Sequence, residues 1–130
     1  MEADIPISVL PGRFAVCRLP VDMASPDWAR PGVLLALIRT PDEFSLVCQE
    51  RYVPPEVKAE RGWRGLKVHG PLDFSLVGIL ASLTSALAEA SVSVFALSTF
   101  DTDYVLVKES QLVRAVRALR QAGYTVLESS

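Results

Sequence analysis

Apolar residues recur along this chain with two different rhythms. Up to residue 71 they come in short runs, at residues 5–10, 14–19, 33–39 and 44–49, each closed by Pro, Gly or Asp. Runs of that length, rich in β-branched and aromatic side chains, predict β-strands. Pro11-Gly12 is a plain turn joining the first two, and Thr40-Pro41-Asp42-Glu43 turns the third into the fourth. Ser25, with Pro26 at the first helical position and Asp27 next, reads as a capped single helical turn, and residues 54–60 predict another. All nine prolines fall within residues 6–71. Each fixes φ and removes a backbone donor, which leaves no room for long helices there. The change in rhythm divides the chain into residues 1–62 and 63–130.

The later part is more regular. Residues 64–69 predict a strand closed by Gly70-Pro71, after which Leu76, Ile79, Leu80, Leu83 and Leu87 repeat at threes and fours and form one helical stripe. Asp73 or Ser75 can cap that helix. Residues 92–98 and 103–108 are β-branched runs linked through Thr99, Phe100, Asp101 and Thr102, the pattern of a hairpin. Ser110 can cap a second helix with the stripe Leu112, Val116 and Leu119, terminated by Gly123, and residues 124–127 form a last strand. The predicted class is α+β: a ferredoxin-like β-α-β-β-α-β unit, four strands with two helices on one face, preceded by a degenerate, strand-rich half. The two halves show no sequence repeat, yet the first can be a shrunken structural copy of the second with its first helix cut to about one turn.

At 130 residues and 50% hydrophobic, the chain can bury a core and is not a disordered segment. Its longest apolar stretch, residues 74–90, is interrupted by Ser75, Ser82, Thr84, Ser85 and Glu89, so no membrane span is expected. An acidic start, Met1-Glu2-Ala3-Asp4, is unlike a secretory leader, and a cytoplasmic location is expected. Cys17 and Cys48 each sit in an apolar run without CxxC spacing, as buried reduced thiols do. Between Val68 and Val107 there is no Lys or Arg, while Asp73, Glu89, Asp101 and Asp103 are all present. That is the opposite of a phosphate-backbone surface, so no nucleic-acid partner is expected. Arg114, Arg117 and Arg120 fall opposite an apolar helix stripe, where a solvated face accounts for them.

A ferredoxin-like order does not set the function, so the residues have to. RNA recognition on such a sheet uses aromatics in a basic setting, which is missing. Acyl-phosphate hydrolysis would need an Asn to position water, and the chain has none; metal carriage needs clustered Cys or His. His69 is the only histidine, and any triad would have to combine it with Ser75 and Asp73, around which no nucleophile-elbow pattern is present. Neither a cofactor nor a catalytic residue is expected. A binding site fits better. The loop Gly70-Pro71-Leu72-Asp73-Phe74 feeds a helix N-terminus, where unpaired N–H groups and the helix dipole favour a carboxylate. Gly78 either lets a ligand or strand approach closely or serves helix-on-sheet packing. Asp101 and Asp103 lie in the hairpin turn: solvation accounts for Asp101, whereas Asp103 can pair with a cation. One anion-binding end beside one cation-binding end suits an α-amino acid.

These residues carry a resemblance. The stretch GWRGLKVHGPLDFSLVGILASLTSALAEASVSVFALSTFDTDYVLV resembles an ACT domain, the small regulatory module of allosteric enzymes such as aspartokinase. It is similar in particular to bacterial proteins with tandem ACT-like halves and to the ACT repeats of cytosolic arginine sensing. The phrases LPVDMASPDW and TPDEFSLVCQE resemble the N-terminal subdomain of the same group, making residues 1–62 a degenerate ACT-like half. The resemblance implies a non-catalytic amino-acid sensor, homodimeric or docked on a partner protein, with ligand held where ACT units meet. It implies ligand contacts at Leu72, Asp73, Phe74, Ser75, Val77, Gly78 and Ile79, with Gly70 at the loop entrance, and at Thr99, Phe100 and Asp103, which match a Thr-Phe-x-x-Asp stretch. Where arginine-sensing repeats carry an aromatic residue before that Asp, this chain has Thr102, leaving the ligand's aliphatic stem less covered. The alternative reading is an interaction module with a vestigial ligand site.

Overall fold

The structure, a computed structural model, describes residues 5–69 and 78–128. Among them are eight strands and two helices: β1 (Pro6–Val9), β2 (Phe14–Leu19), β3 (Ala36–Arg39), β4 (Phe44–Gln49), β5 (Ala59–Val68), α1 (Ile79–Glu89), β6 (Val94–Ser98), β7 (Asp103–Lys108), α2 (Leu112–Gln121) and β8 (Thr125–Glu128). They fall into two compact units, Pro11–Trp63 and the remainder of the chain.

In the Pro11–Trp63 unit the strand order is β3-β4-β2-β5, with all pairs antiparallel. Counted along the chain this is second, third, first, fourth, the ferredoxin-like order with both helices missing. The segment in place of the first helix carries Pro20, Pro26 and Pro31, and the second is reduced to a 3-10 turn, Glu50–Tyr52, ahead of Pro54 and Pro55. The apolar face still needs a cover. Met23, Trp28, Ala29 and Leu35 from the first segment and Tyr52 and Val57 from the second pack against Ala15, Cys17, Leu19, Phe44, Leu46 and Cys48. Two side chains hold the cover in place. The guanidinium of Arg39 bonds the carbonyls of Val21 and Met23 and lies 3.9 Å from the centroid of the Phe44 ring. Buried Gln49 accepts the Val33 N–H at 2.8 Å, and a Cβ on Gly32, whose φ is +47°, would stand 2.0 Å from that same amide oxygen. This bonding shortens the third strand, which begins at Ala36 and not at residue 33.

The other unit follows β-α-β-β-α-β, but its sheet holds five strands and not four. β7 pairs with β5 and with β6, and β1 lies between β5 and β8. β1 runs antiparallel to β5, with Ile7 opposite Val68, and parallel to β8, with Ile7 opposite Val126. The sequence assigns β1 to the first half; Pro11-Gly12 does turn the chain between β1 and β2, with Gly12 at φ +80°, but β1 pairs with β5 and β8 while β2 pairs with β4 and β5. The reason lies in Ile7 and Val9, which join Leu66, Val68 and Val126 in one buried cluster under the helices. Pro6, at the first position of β1, is tolerated because a strand start can forgo a donor. β5 also begins earlier than the sequence predicts, at Ala59 in place of a helical turn, and includes Gly62 at φ +79° beside an irregular register with β2.

Both helices use the expected stripes. α1 buries Ile79, Leu83 and Leu87, and α2 buries Ala115, Val116 and Leu119. Leu76 and the two cap candidates Asp73 and Ser75 lie outside the described residues. Ser110 is not the cap of α2: it sits inside a 3-10 turn, Glu109–Gln111, that leads directly into the helix. Gly123, at φ +100°, ends α2 as expected. Arg114 and Arg120 are exposed but not merely solvated, since they bond the carbonyls of Ser91 and Val126.

This packing is testable at two buried side chains. Ile7 is fully buried, so Ile7→Ala should lower the unfolding free energy in urea by about 2–5 kcal/mol; a cost near zero would contradict the placement of β1. Burial, with Cys17 nearby, pushes the Cys48 thiol from its ordinary value of 9.0 up to about 11. The folded chain therefore holds that proton longer than the unfolded chain, and stability should fall as pH rises from 9.0 toward about 11. Cys48→Ala should show a shallower decline across that window than the unsubstituted chain.

Candidate functional site

In the unit that contains the helices, a β-α-β crossover makes β6 parallel to β5. The C-terminal end of β5, the start of α1 and the β6–β7 turn therefore share one end of the sheet. Of the residues singled out from sequence, Gly70, Leu72, Asp73, Phe74, Ser75 and Val77 lie outside the described residues. Gly78, Ile79, Thr99, Phe100 and Asp103 can be placed.

Gly78 is the N-cap of α1, with φ +87° and ψ 3°. A Cβ there would meet no described atom within 4 Å, so no contact among the described residues selects glycine. The left-handed backbone is the reason, because it is strained for other residues. Glycine offers no side chain to cap the first turn, whose N–H groups have no partner within the helix. Ile79 turns its side chain into the core at 7% exposure, so its N–H is the group it can present.

The turn at Thr99 is held by its own hydroxyl. Thr99 Oγ1 accepts the Thr102 N–H at 3.2 Å, donates to the Thr102 carbonyl at 3.1 Å and lies 2.8 Å from Thr102 Oγ1. The backbone closes the turn through Thr99 N–H to Thr102 O at 2.8 Å. Thr99 thus shapes the turn, and Thr102 takes part in the same bonding. Phe100 stands at the tip, 79% exposed. Asp103 opens β7 directly opposite Ser98, and Ser98 Oγ donates to Asp103 Oδ1 at 2.7 Å. No cation pairs with this half-buried carboxylate among the described residues. Ser98 was not singled out from sequence, although the hairpin register alone sets it across from Asp103.

His69 ends β5 and bonds Ser8 on β1, with Oγ and Nε2 at 2.5 Å, while its own N–H donates to the Pro6 carbonyl at 3.0 Å. A Ser-His contact is one element of nucleophilic catalysis, but Ser8 sits in a strand flanked on both sides by β5 and β8. Its neighbouring N–H groups are engaged in sheet pairing and are not arranged as an oxyanion hole. Within the described residues no group of three or more His, Cys, Asp or Glu could hold a metal ion. No described helix is long and apolar enough to cross a membrane.

The Pro11–Trp63 unit repeats this corner. Thr40 takes the place of Thr99: its N–H donates to Glu43 O at 2.9 Å, and its Oγ1 accepts the N–H groups of Asp42 and Glu43 at 3.1 Å. Beside this turn is a cleft of about 390 Å³ lined by Pro20, Val21, Asp42, Glu43, Arg18 and Lys58. Arg18 and Glu43 already pair across it at 3.5 Å. Topology and turn chemistry, not sequence identity, mark the two units as structural copies.

Comparison with known proteins places these features. A family model described as an ACT domain matches residues 58–121, and a second model, of an N-terminal domain, matches residues 12–56. A crystal structure of a protein from Agrobacterium tumefaciens superposes with a TM-score of 0.91 at 34% identity, covering 97% of this chain and 94% of that one. The regulatory subunit of aspartate kinase from Thermus thermophilus shares the fold, with a TM-score of 0.59 at 12% identity over 89% of this chain and 96% of that one. In sequence, the chain is 34% identical over 97 residues to the human cytosolic arginine sensor for mTORC1 subunit 1, covering 66% of this chain but only 30% of the sensor's length. The matching family model shows that residues 58–121 belong to the ACT-domain family, and the protein from Agrobacterium tumefaciens is similar over nearly the whole chain.

Proposed function

We propose that this chain is a non-catalytic regulatory protein that binds an amino acid, acts in the cytoplasm and works as a homodimer or bound to a partner it regulates. The observation that carries the reading is Asp103. Its carboxylate is oriented by Ser98, sits on a turn locked by Thr99, has no described cationic partner, and shares a sheet end with the start of α1, where Gly78 offers no capping side chain. A carboxylate is favoured at a helix N-terminus and an ammonium or guanidinium at an acidic side chain, so an amino acid meets both requirements at once. The backbone from Gly70 to Ile79 takes the ligand carboxylate, with Leu72, Asp73, Phe74, Ser75, Val77 and Gly78 forming the loop, and Asp103 takes the cation. Phe100, exposed at the turn tip, is positioned to cover the ligand where an ACT unit of a second copy closes the site. The name of the human relative and the regulatory role of the aspartate kinase subunit support the assignment. With Thr102 where an aromatic side chain would cover a long aliphatic stem, a shorter ligand than arginine fits this chain better.

Regulation would arise from differential binding. The ligand favours one arrangement of ACT units over another by no more than its difference in affinity for the two. A second reading, an interaction module without a working ligand site, is favoured by β3. Among the described residues that strand pairs only with β4, and it exposes Leu37 and Ile38 at 42% and 46%.

A thermal-shift screen against the amino acids separates the readings. At about 100 times Kd a ligand adds roughly 2.7 kcal/mol, a rise of several degrees for a chain of this size. Asp103→Ala should weaken the responding ligand by about 2–5 kcal/mol. Ser98→Ala, which frees the carboxylate without removing it, should cost about 1 kcal/mol. If no amino acid shifts the midpoint, and Leu37→Lys breaks up a concentration-dependent oligomer, the interaction module replaces the sensor.

A further inference from the structure

Helix α2 carries a second stripe that the core does not use. Leu112, Ala115, Val116 and Leu119 face inward, while Val113, Arg117, Arg120 and Gln121 recur at the same helical spacing on the outside. Val113 is 71% exposed, an apolar side chain left in water near the start of this stripe. A groove of about 440 Å³ runs along it, lined by Val113, Val116, Arg117, Arg120 and Gln121 of α2 and by Glu128 of β8.

The helix side of the groove is basic, and the one acid in its lining, Glu128, is already paired with Arg120. α2 contains three arginines and no acidic residue. Arg114 is bonded to the Ser91 carbonyl, and Arg120 to the Val126 carbonyl and, at 3.5 Å, to Glu128. Arg117, between them, has no hydrogen-bond or ion-pair partner among the described residues. The groove thus offers one uncommitted guanidinium, one turn of helix from an exposed apolar side chain, with a tethered arginine at the rim.

We infer that this groove docks a segment of a partner protein that pairs an acidic side chain with an apolar one. The carboxylate binds Arg117, whose planar guanidinium donates two parallel hydrogen bonds to it. The apolar side chain covers Val113 and the outer edge of Val116. One uncommitted guanidinium on a chain of net charge −2 suits a single carboxylate and is too little charge for an anionic lipid surface. The docking site stands on α2 and β8 alone and does not depend on the amino-acid reading of Asp103, so failure of either leaves the other standing.

The test uses the full chain with no amino acid added. A displayed library of random linear peptides is selected on it, and the enriched peptides are synthesised, labelled and measured by fluorescence anisotropy. The expected peptides combine Asp or Glu with Leu, Ile or Phe. Their affinity should fall by at least about tenfold in Arg117→Glu and in Val113→Asp, while Arg18→Glu, on the other unit, should change it little. Both tested positions are exposed, and unchanged melting temperatures would show that the fold is intact. The inference is overturned by no enrichment, by peptides without acidic residues, or by equal binding to the Arg117 and Val113 variants. It is also overturned if Arg117→Glu dissociates a dimer, since a second copy would then cover the face, or if anionic vesicles bind with the same dependence on Arg117.

Discussion

Every sheet in this protein has an apolar face that must be kept from water, and the way that face is covered sets the character of each unit. In the unit containing α1 and α2, two amphipathic helices lay Leu83, Leu87, Val116 and Leu119 over Leu66, Val68, Val105 and Val107. In the Pro11–Trp63 unit, prolines forbid helices, and an irregular cover of Met23, Trp28 and Leu35 takes their place. An irregular cover gains little from its own backbone hydrogen bonding, so side chains must fasten it. Arg39 does this from β3 and Gln49 from β4. The absence of helices thus explains why a buried glutamine and an exposed arginine over Phe44 fasten this cover.

The same division bears on function. A helix N-terminus supplies unpaired N–H groups, and only the unit that kept its helices has one beside the Thr99 turn. The other unit keeps the equivalent turn at Thr40, but its charged groups include an internal Arg18–Glu43 pair. The pairing of Ser98 with Asp103 has no counterpart at Thr40, where Phe44 opens β4.

Periodicity alone makes much of this architecture legible. The stripes of both helices and the hairpin through residues 99–102 follow from spacing and turn residues, whereas the second, third, first, fourth strand order of the Pro11–Trp63 unit comes only from the observed pairing. The position of β1 does not follow from spacing either. Alternation of Ile7 and Val9 around Ser8 says that one face is buried, but it does not say against which partner, and the partners Val68 and Val126 are distant in sequence. Ser110 misleads because a 3-10 turn can intervene between a good capping residue and its helix. At the site, Asp103 is legible as an unpaired acid in a turn, while Ser98 becomes visible only through the hairpin register. For Gly78 the residue type is legible, and the left-handed backbone angle adds a reason that the sequence does not show.

Amino-acid binding at this corner requires one ligand to bridge Asp103 and the start of α1. Calorimetric titration with the responding amino acid and with its analogue lacking the cationic group, each on the unsubstituted chain and on Asp103→Ala, tests this directly. If Asp103 holds the cation, removing the cation weakens binding to the unsubstituted chain but changes nothing further in Asp103→Ala. If the two losses simply add, Asp103 does not contact the cation and the central claim is wrong.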